Sequence, residues 1–382
     1  MGTAYTPGLR VSAHTTIEKV RRLPLKGDVL VKVGDKVSPR TVVARTEIPG
    51  IMQTVKLAEK LGVEPADVQK LLKVKAGDAI TQNDLLAETK GLFGRYFRSE
   101  IRCPVTGTIE LVSQTTGHVG IRQAATPIEK DAYVEGVVTR VMPGEGVVVT
   151  CEGALVQGIF GVGGERQAEL VTVTNSPADA LTEAHISPEH KGKIIVGGSN
   201  ISSSALRKAQ KCGVVGIVVG GIIDRDLMDY LAEVLNEPGY DIGVAITGHE
   251  PIPFTLIVTE GFGTISMAER TFQLLKSLQG QIASINGATQ IRAGVIRPEV
   301  IVPLKNAVAL QASSAESGLL DKGTPIRVIR EPYFGILGTV TGLPSELTQV
   351  ESETWVRVLN AKLADGRDVT VPRANVEIIE TV

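Results

Sequence analysis

The residues best placed to do chemistry lie in one glycine- and serine-rich turn, Gly197-Gly198-Ser199-Asn200-Ile201-Ser202-Ser203-Ser204. It follows the short aliphatic run Ile194-Ile195-Val196 and precedes a helical pattern. Glycines let a backbone approach a ligand, and a helix start offers unpaired N–H groups to an anion. Plain turn glycines and capping serines are the ordinary use of the same residues. Asp224 and Asp226 follow the aliphatic run Val214–Ile223, at the carboxyl end of an expected parallel strand, where open α/β sheets place their ligands. They also suit an N-cap and a first helical turn. Gly197, Gly198, Ser199, Ser202, Ser203, Asp224 and Asp226 therefore make up the candidate ligand edge, for a small anion or nucleotide. The turn carries neither Gly-x-Gly-x-x-Gly nor Gly-Lys-Ser/Thr, so it meets neither the dinucleotide fingerprint nor the phosphate loop.

Other constellations are thinner. The glycine-rich run Gly158–Gly164 has no clear helix after it and reads as a turn or bulge. His185 and His190 flank Ser187-Pro188-Glu189, and the proline keeps the two rings off a common helical face. They read as solvated loop residues rather than metal ligands. His249-Glu250 is a lone acid/base neighbour pair. No nucleophile, base and orienting group assemble by spacing, so no catalytic residue, metal or cofactor is expected.

A second kind of chemistry, contact with a partner, centres on Arg327, Arg330, Tyr333, Phe334 and Gly335. Exposed aromatics stack on bases and arginines reach phosphates. Glu346, Glu351 and Glu353 lie in the same segment and oppose nucleic acid, which keeps a protein partner beside RNA.

The elements that must position these groups suggest an α+β multidomain chain. Residues 1–130 read as a barrel-sandwich-like β domain with a helical insert at 51–90. A β-rich connector spans 131–180. Short aliphatic strands alternating with helices over 181–312 argue an α/β three-layer domain with parallel strands. They comprise 194–196, 214–220 and 243–247, with helices from Ala205, 227–235 and 268–278. Residues 320–382 alternate at period two, with Asp365-Gly366 as a hairpin turn, and read as a C-terminal SH3-like β-barrel.

Two resemblances attach to these segments. Lys322-Gly323-Thr324-Pro325 through Gly338-Thr339-Val340 and the strands after it resemble a KOW motif, as in the NusG family of transcription factors and in ribosomal proteins. That resemblance implies docking to RNA, ribosome or polymerase. Residues 25–46 (Val31-Lys32-Val33-Gly34-Asp35) and 101–123 (Pro104-Val105-Thr106-Gly107) resemble the two halves of a biotinyl/lipoyl barrel-sandwich hybrid. No carrier lysine stands between them, so covalent cofactor attachment is not implied. The same halves resemble electron-transfer subunits of the RnfC and NqrA type, although the cysteine-rich cluster motifs of the RnfC type are absent.

Composition sets the outer limits. The 382 residues are 43% hydrophobic and 21% charged, which is globular. Forty basic against forty-two acidic residues leave a net charge of −2, without the basic excess of a dedicated nucleic-acid binder. The three isolated cysteines suggest a reducing compartment. With no leader pattern at Met1–Pro7 and no apolar run of spanning length, the expectation is a cytoplasmic protein without a membrane span. The leading expectation is a non-enzymatic binding or scaffold protein. The alternatives are an enzyme or redox-complex subunit at the strand-end edge, and a homo-oligomer assembled through exposed edge strands.

Overall fold

Four strands, Arg166–Thr172, Ile194–Val196, Gly216–Ile222 and Thr255–Phe262, run parallel and side by side. The structure is a computed structural model in which residues 9–89, 99–237, 247–290, 296–304, 320–328, 332–333, 336–349, 355–364 and 366–378 are described. Buried on both faces, these strands need aliphatic side chains on both. Helices Ser203–Cys212 and Asp224–Leu235 cover one face, where Leu206, Leu227 and Leu231 meet Ile195, Ile217 and Val219. Helix Glu269–Ser277 covers the other, with Phe272 and Leu275 against Ile194, Val196, Val218 and Ile257. Each fully buried leucine or phenylalanine contributes roughly 1.5–3 kcal/mol. Strand Thr255–Phe262 is absent from the sequence reading, which placed a strand at 243–247. Residues 243–246 lie outside the described residues.

The sheet continues antiparallel through Ile282–Asn286 and Glu299–Pro303 to the long strand Gly146–Gln157. That strand leads into the N-terminal half, which is one β module nested inside another. Val42–Ile48 pairs with Thr126–Asp131, and Met52–Lys56 pairs with His118–Arg122. The chain thus leaves the outer module along a bent two-stranded ribbon and returns beside itself. The inner module packs Val55, Leu57, Val68, Ile80, Leu86, Ile109, Val119 and Ile121 into its own core. The outer one packs Ile17, Val37, Val43, Val134, Val138, Val147 and Val149 into another. Residues 25–46 and 101–123 accordingly contribute to different cores. The 51–90 insert is not simply helical: helices Leu57–Leu61 and Val68–Leu71 lie among strands Met52–Lys56, Ala79–Ile80 and Leu85–Glu88.

The two modules repeat one design. Val31-Lys32-Val33-Gly34-Asp35 recurs as Val74-Lys75-Ala76-Gly77-Asp78. Gly34 N–H donates to the Val138 carbonyl (2.8 Å) and Val138 N–H to that of Asp35 (2.9 Å). In the inner copy Gly77 donates to Ile109 (2.7 Å) and Ile109 to Asp78 (2.9 Å). Gly34 and Gly77 take φ of +92° and +96°, the region that favours glycine. Lys36–Val37 pairs with Val137–Gly136, as Ala79–Ile80 pairs with Thr108–Gly107. Both hairpins carry a bulge at the same place, after Val138 and near Ile109. A side chain on Gly136 or Gly107 would overlap the carbonyl oxygen of Thr150 or Arg122, respectively.

Arg21 ties the outer module to the parallel sheet. Its guanidinium donates to both carboxylate oxygens of Glu165 (2.6 and 2.7 Å) and to Asp131 Oδ1 (2.9 Å). It also lies 5.2 Å from the centre of the Tyr133 ring. Burial on its own would raise the Glu165 carboxyl, but hydrogen bonds and charge from Arg21 outweigh it and hold the group below its usual range. Tyr133 is buried at φ +67°. Burial, then the nearby Glu299 and Glu165, push its phenol well above the ordinary value.

The C-terminal strands pair in the order Asp368–Pro372, Trp355–Leu363, Leu337–Gly342, Pro325–Val328, Val376–Ile378. Leu347–Gln349 pairs with the start of Trp355–Leu363. These strands form an antiparallel sheet, and among the described residues no pairing joins its two ends. It curls over a core of Ile326, Val328, Val340, Leu359, Leu363 and Val371.

Candidate functional site

The strand-end edge brings some of its candidate residues together, but with their polar groups already engaged. Ser202 Oγ accepts from Ala205 N–H (3.3 Å) and caps helix Ser203–Cys212. Ser203 N–H donates to Asp226 Oδ1 (3.1 Å), so a carboxylate of the chain itself stands where an anion would sit. Asp224 opens helix Asp224–Leu235, where its charge complements the helix dipole. Ser199 is buried, its N–H on the Asp179 carbonyl (2.8 Å) and its carbonyl taken by Gly221 N–H (2.9 Å). Gly197 and Gly198 are buried as well. A side chain on Gly198 would overlap the carbonyl of Ser176, and one on Gly197 would press on Leu181. These glycines serve close packing of neighbouring loops. Thr172 and Thr174, in the same layer, bury hydroxyls that have no partner. Sequence reasoning passed over them, since a threonine in a β run carries no signal of its own.

The remaining sequence candidates become structural supports. In the glycine-rich run, Gly161 N–H donates to Thr289 Oγ1 (2.9 Å) and Gly163 N–H to Glu250 Oε2 (2.9 Å). Glu250 also accepts from Gly248 (2.8 Å), so it clamps two loops rather than acting with His249, which is exposed. His185 and His190 each close a capping box. Nδ1 of His185 accepts from Thr182 N–H (3.2 Å), and Nδ1 of His190 from Ser187 N–H (3.1 Å). Each thus makes a local turn while staying partly exposed, as a loop histidine does. Among the described residues no cluster of three or more histidines, cysteines or acids could hold a metal, and no helix is long and apolar enough to cross a membrane.

In the C-terminal sheet, Arg330, Phe334 and Gly335 lie outside the described residues. Arg327 points inward: it is 6% exposed and its guanidinium faces Glu260 of the parallel sheet at 3.6 Å. Tyr333 is half-buried against the sheet's core, with the Arg367 guanidinium 5.1 Å from its ring centre. The exposed aromatic is at the other end of the long strand. Trp355, the chain's single tryptophan, is 63% exposed, and Leu347 is 53% exposed. The register sets Leu347 opposite Arg357 and Gln349 opposite Trp355, so all four side chains share one face of the hairpin. Arg357 is exposed too, with no ion-pair partner among the described residues.

No family model matches this chain, and no curated protein matches it.

Chemically, the hairpin face offers what the strand-end edge does not: a large aromatic, an aliphatic side chain and a cation, all open to solvent. Tryptophan and arginine are the residue types that most often anchor protein interfaces. Sequence reasoning assigned Trp355 to an alternating strand and stopped there. Its exposure arises because Trp355–Arg357 extends past the sheet core and, among the described residues, pairs with Leu347–Gln349 alone.

Proposed function

We propose that this chain is a binding or scaffold protein that docks a macromolecular partner through its C-terminal sheet. The observation that carries the reading is the exposed Trp355–Leu347–Arg357 face. The KOW resemblance of the segment makes the transcription or translation apparatus the first place to look for that partner. The contact point moves from the Tyr333 loop to the opposite end of the strand, because Arg327 is drawn into the ion pair with Glu260 and Tyr333 packs against its own core. A buried docking contact fixes the sheet on the α/β layer and leaves the overhanging hairpin as the presented surface. The test is chemical cross-linking and co-purification of the full chain beside a Trp355→Ser/Leu347→Ser variant. Partners lost by the variant support the reading, and identical partner sets sink it.

The competing reading, a small anionic ligand at the strand ends, has one observation in its favour: the unpartnered hydroxyls of Thr172 and Thr174. A thermal shift of several degrees with one phosphorylated metabolite or nucleotide, lost in Thr174→Val, would move the assignment there.

A further inference from the structure

We infer that two copies of the chain join edge to edge through strand Val11–Arg22 of the outer module, in one register centred on Val20. The inference is independent of the docking reading above. Among the described residues this strand pairs on one side only, with Gly146–Gln157. The register is unbroken from Thr15–Gly153 to Arg22–Gly146, and Leu23 N–H continues it onto the Glu145 carbonyl (2.7 Å). In an antiparallel pair, hydrogen-bonded and non-hydrogen-bonded residues alternate. Lys19, Arg21 and Leu23 therefore bond to the neighbouring strand, and the N–H and C=O groups of Glu18, Val20 and Arg22 point to the open side. Those groups find no backbone partner among the described residues. Glu18, Val20 and Arg22 are exposed as well, Val20 by 54%. An open edge of this kind pairs readily with another strand.

Side chains choose the occupant. A two-fold axis at Val20 sets Val20 against its own copy and Glu18 against Arg22 of the partner subunit, on both sides of the axis. Every pair in that register exchanges both of its backbone hydrogen bonds, because the outward groups belong to the same residues. Facing aliphatic residues and facing opposite charges each stabilise a sheet. Moving one copy by two residues sets Glu18 or Arg22 against Val20 and loses the charge match. Glu18 has no ion pair of its own among the described residues, and Arg22 reaches Glu145 only at 3.5 Å with its side chain 60% exposed. On the opposite face Lys19 and Arg21 come beside one another across the axis, each already neutralised by Glu299 (2.5 Å) and Glu165 (2.6 Å) respectively. Pro24, which falls opposite Thr16, has no N–H and ends the ladder. A second copy fits better than a foreign strand because the order acid, apolar, base is its own complement when reversed.

Sedimentation velocity of the full chain over a concentration series is the test, and a monomer–dimer equilibrium is the expected result. Glu18→Arg and Arg22→Glu each set like charges against one another on both sides of the axis. Each should weaken the dimer at least about tenfold. Glu18→Arg/Arg22→Glu restores opposite charges and should recover dimerisation. Val20→Pro removes an N–H that its own sheet does not use, and should leave a folded monomer, with folding checked by thermal melting. Oxidation of Val20→Cys should link two copies, since facing Cα atoms of a hydrogen-bonded pair stand about 5.5 Å apart, within disulfide reach. Glu18→Cys, set well away from its own copy in this register, should not. A monomer at every concentration, a dimer that survives a folded Val20→Pro, or a double variant no stronger than the single ones overturns the inference. If Val20→Pro fails to fold, the charge reversals decide alone.

Discussion

Arg327 of the C-terminal sheet and Glu260 of the parallel sheet face one another at 3.6 Å, with side chains only 7% and 2% exposed. Glu260 is held from behind as well, its Oε1 accepting the Ala268 N–H (2.9 Å) at the start of helix Glu269–Ser277. The pair therefore links the terminal sheet, the carboxyl end of a parallel strand and a helix start. Removing one member of such a pair strands a buried charge, which costs about 3–5 kcal/mol, whereas removing both costs far less. Arg327→Met is expected to lower the denaturant midpoint sharply and Glu260→Gln/Arg327→Met to restore much of it. A double-mutant cycle measures the coupling, and additive losses would deny the link.

The Arg21–Glu165 bond predicts an acid dependence with a definite sign. Glu165 has a folded-state pKa held below its unfolded value, so its contribution is fully present above the unfolded carboxylate range. It is lost as the pH falls through the folded value. Urea midpoints for the native chain should therefore drop on acidification through and below the ordinary carboxylate range. Glu165→Gln should be less stable at neutral pH and show a shallower acid slope. Parallel pH profiles for the two proteins would exclude this carboxylate as a source.

Much of this architecture is legible in the sequence, though unevenly. Ile194-Ile195-Val196 and Val214–Ile223 announce buried parallel strands because both faces need aliphatic residues. The motif around Gly34 and its echo around Gly77 mark tight turns, but nothing local says which later strand each turn meets. Residues 25–46 look like a match for 101–123 because Pro104-Val105-Thr106-Gly107 and Tyr133-Val134-Glu135-Gly136 are two versions of one half. Only long-range pairing, Lys36–Val37 with Val137–Gly136, assigns the partners. Arg327 and Trp355 show the same limit for the candidate site. Each lies in a period-two run, and tertiary packing decides that the arginine is buried and the tryptophan exposed.

The duplicated glycines give a paired prediction. Gly107→Ala and Gly136→Ala each push a methyl into a carbonyl oxygen across the hairpin, of Arg122 and Thr150 respectively. Each should destabilise its own module by on the order of 2 kcal/mol. Hydrogen exchange should locate the first loss in residues 52–122 and the second in the outer module. Loss spread evenly over both modules in either variant would mean that the two cores unfold as one unit.

The two histidine caps, finally, separate a local structural role from a metal site. In each box the imidazole Nδ1 accepts the N–H of the capping residue three positions earlier, while the Thr182 or Ser187 side chain serves the opposite end of the turn. Glutamine at the same position supplies an equivalent acceptor, and alanine supplies none. His185→Ala and His190→Ala should each cost roughly 0.5–2 kcal/mol of stability, with His185→Gln and His190→Gln recovering most of it. Calorimetric melting of the four variants, with and without added zinc, decides the matter. Turn caps give the alanine-to-glutamine recovery and no response to zinc. A zinc-dependent rise in melting temperature that disappears in both alanine variants would instead make the two histidines metal ligands.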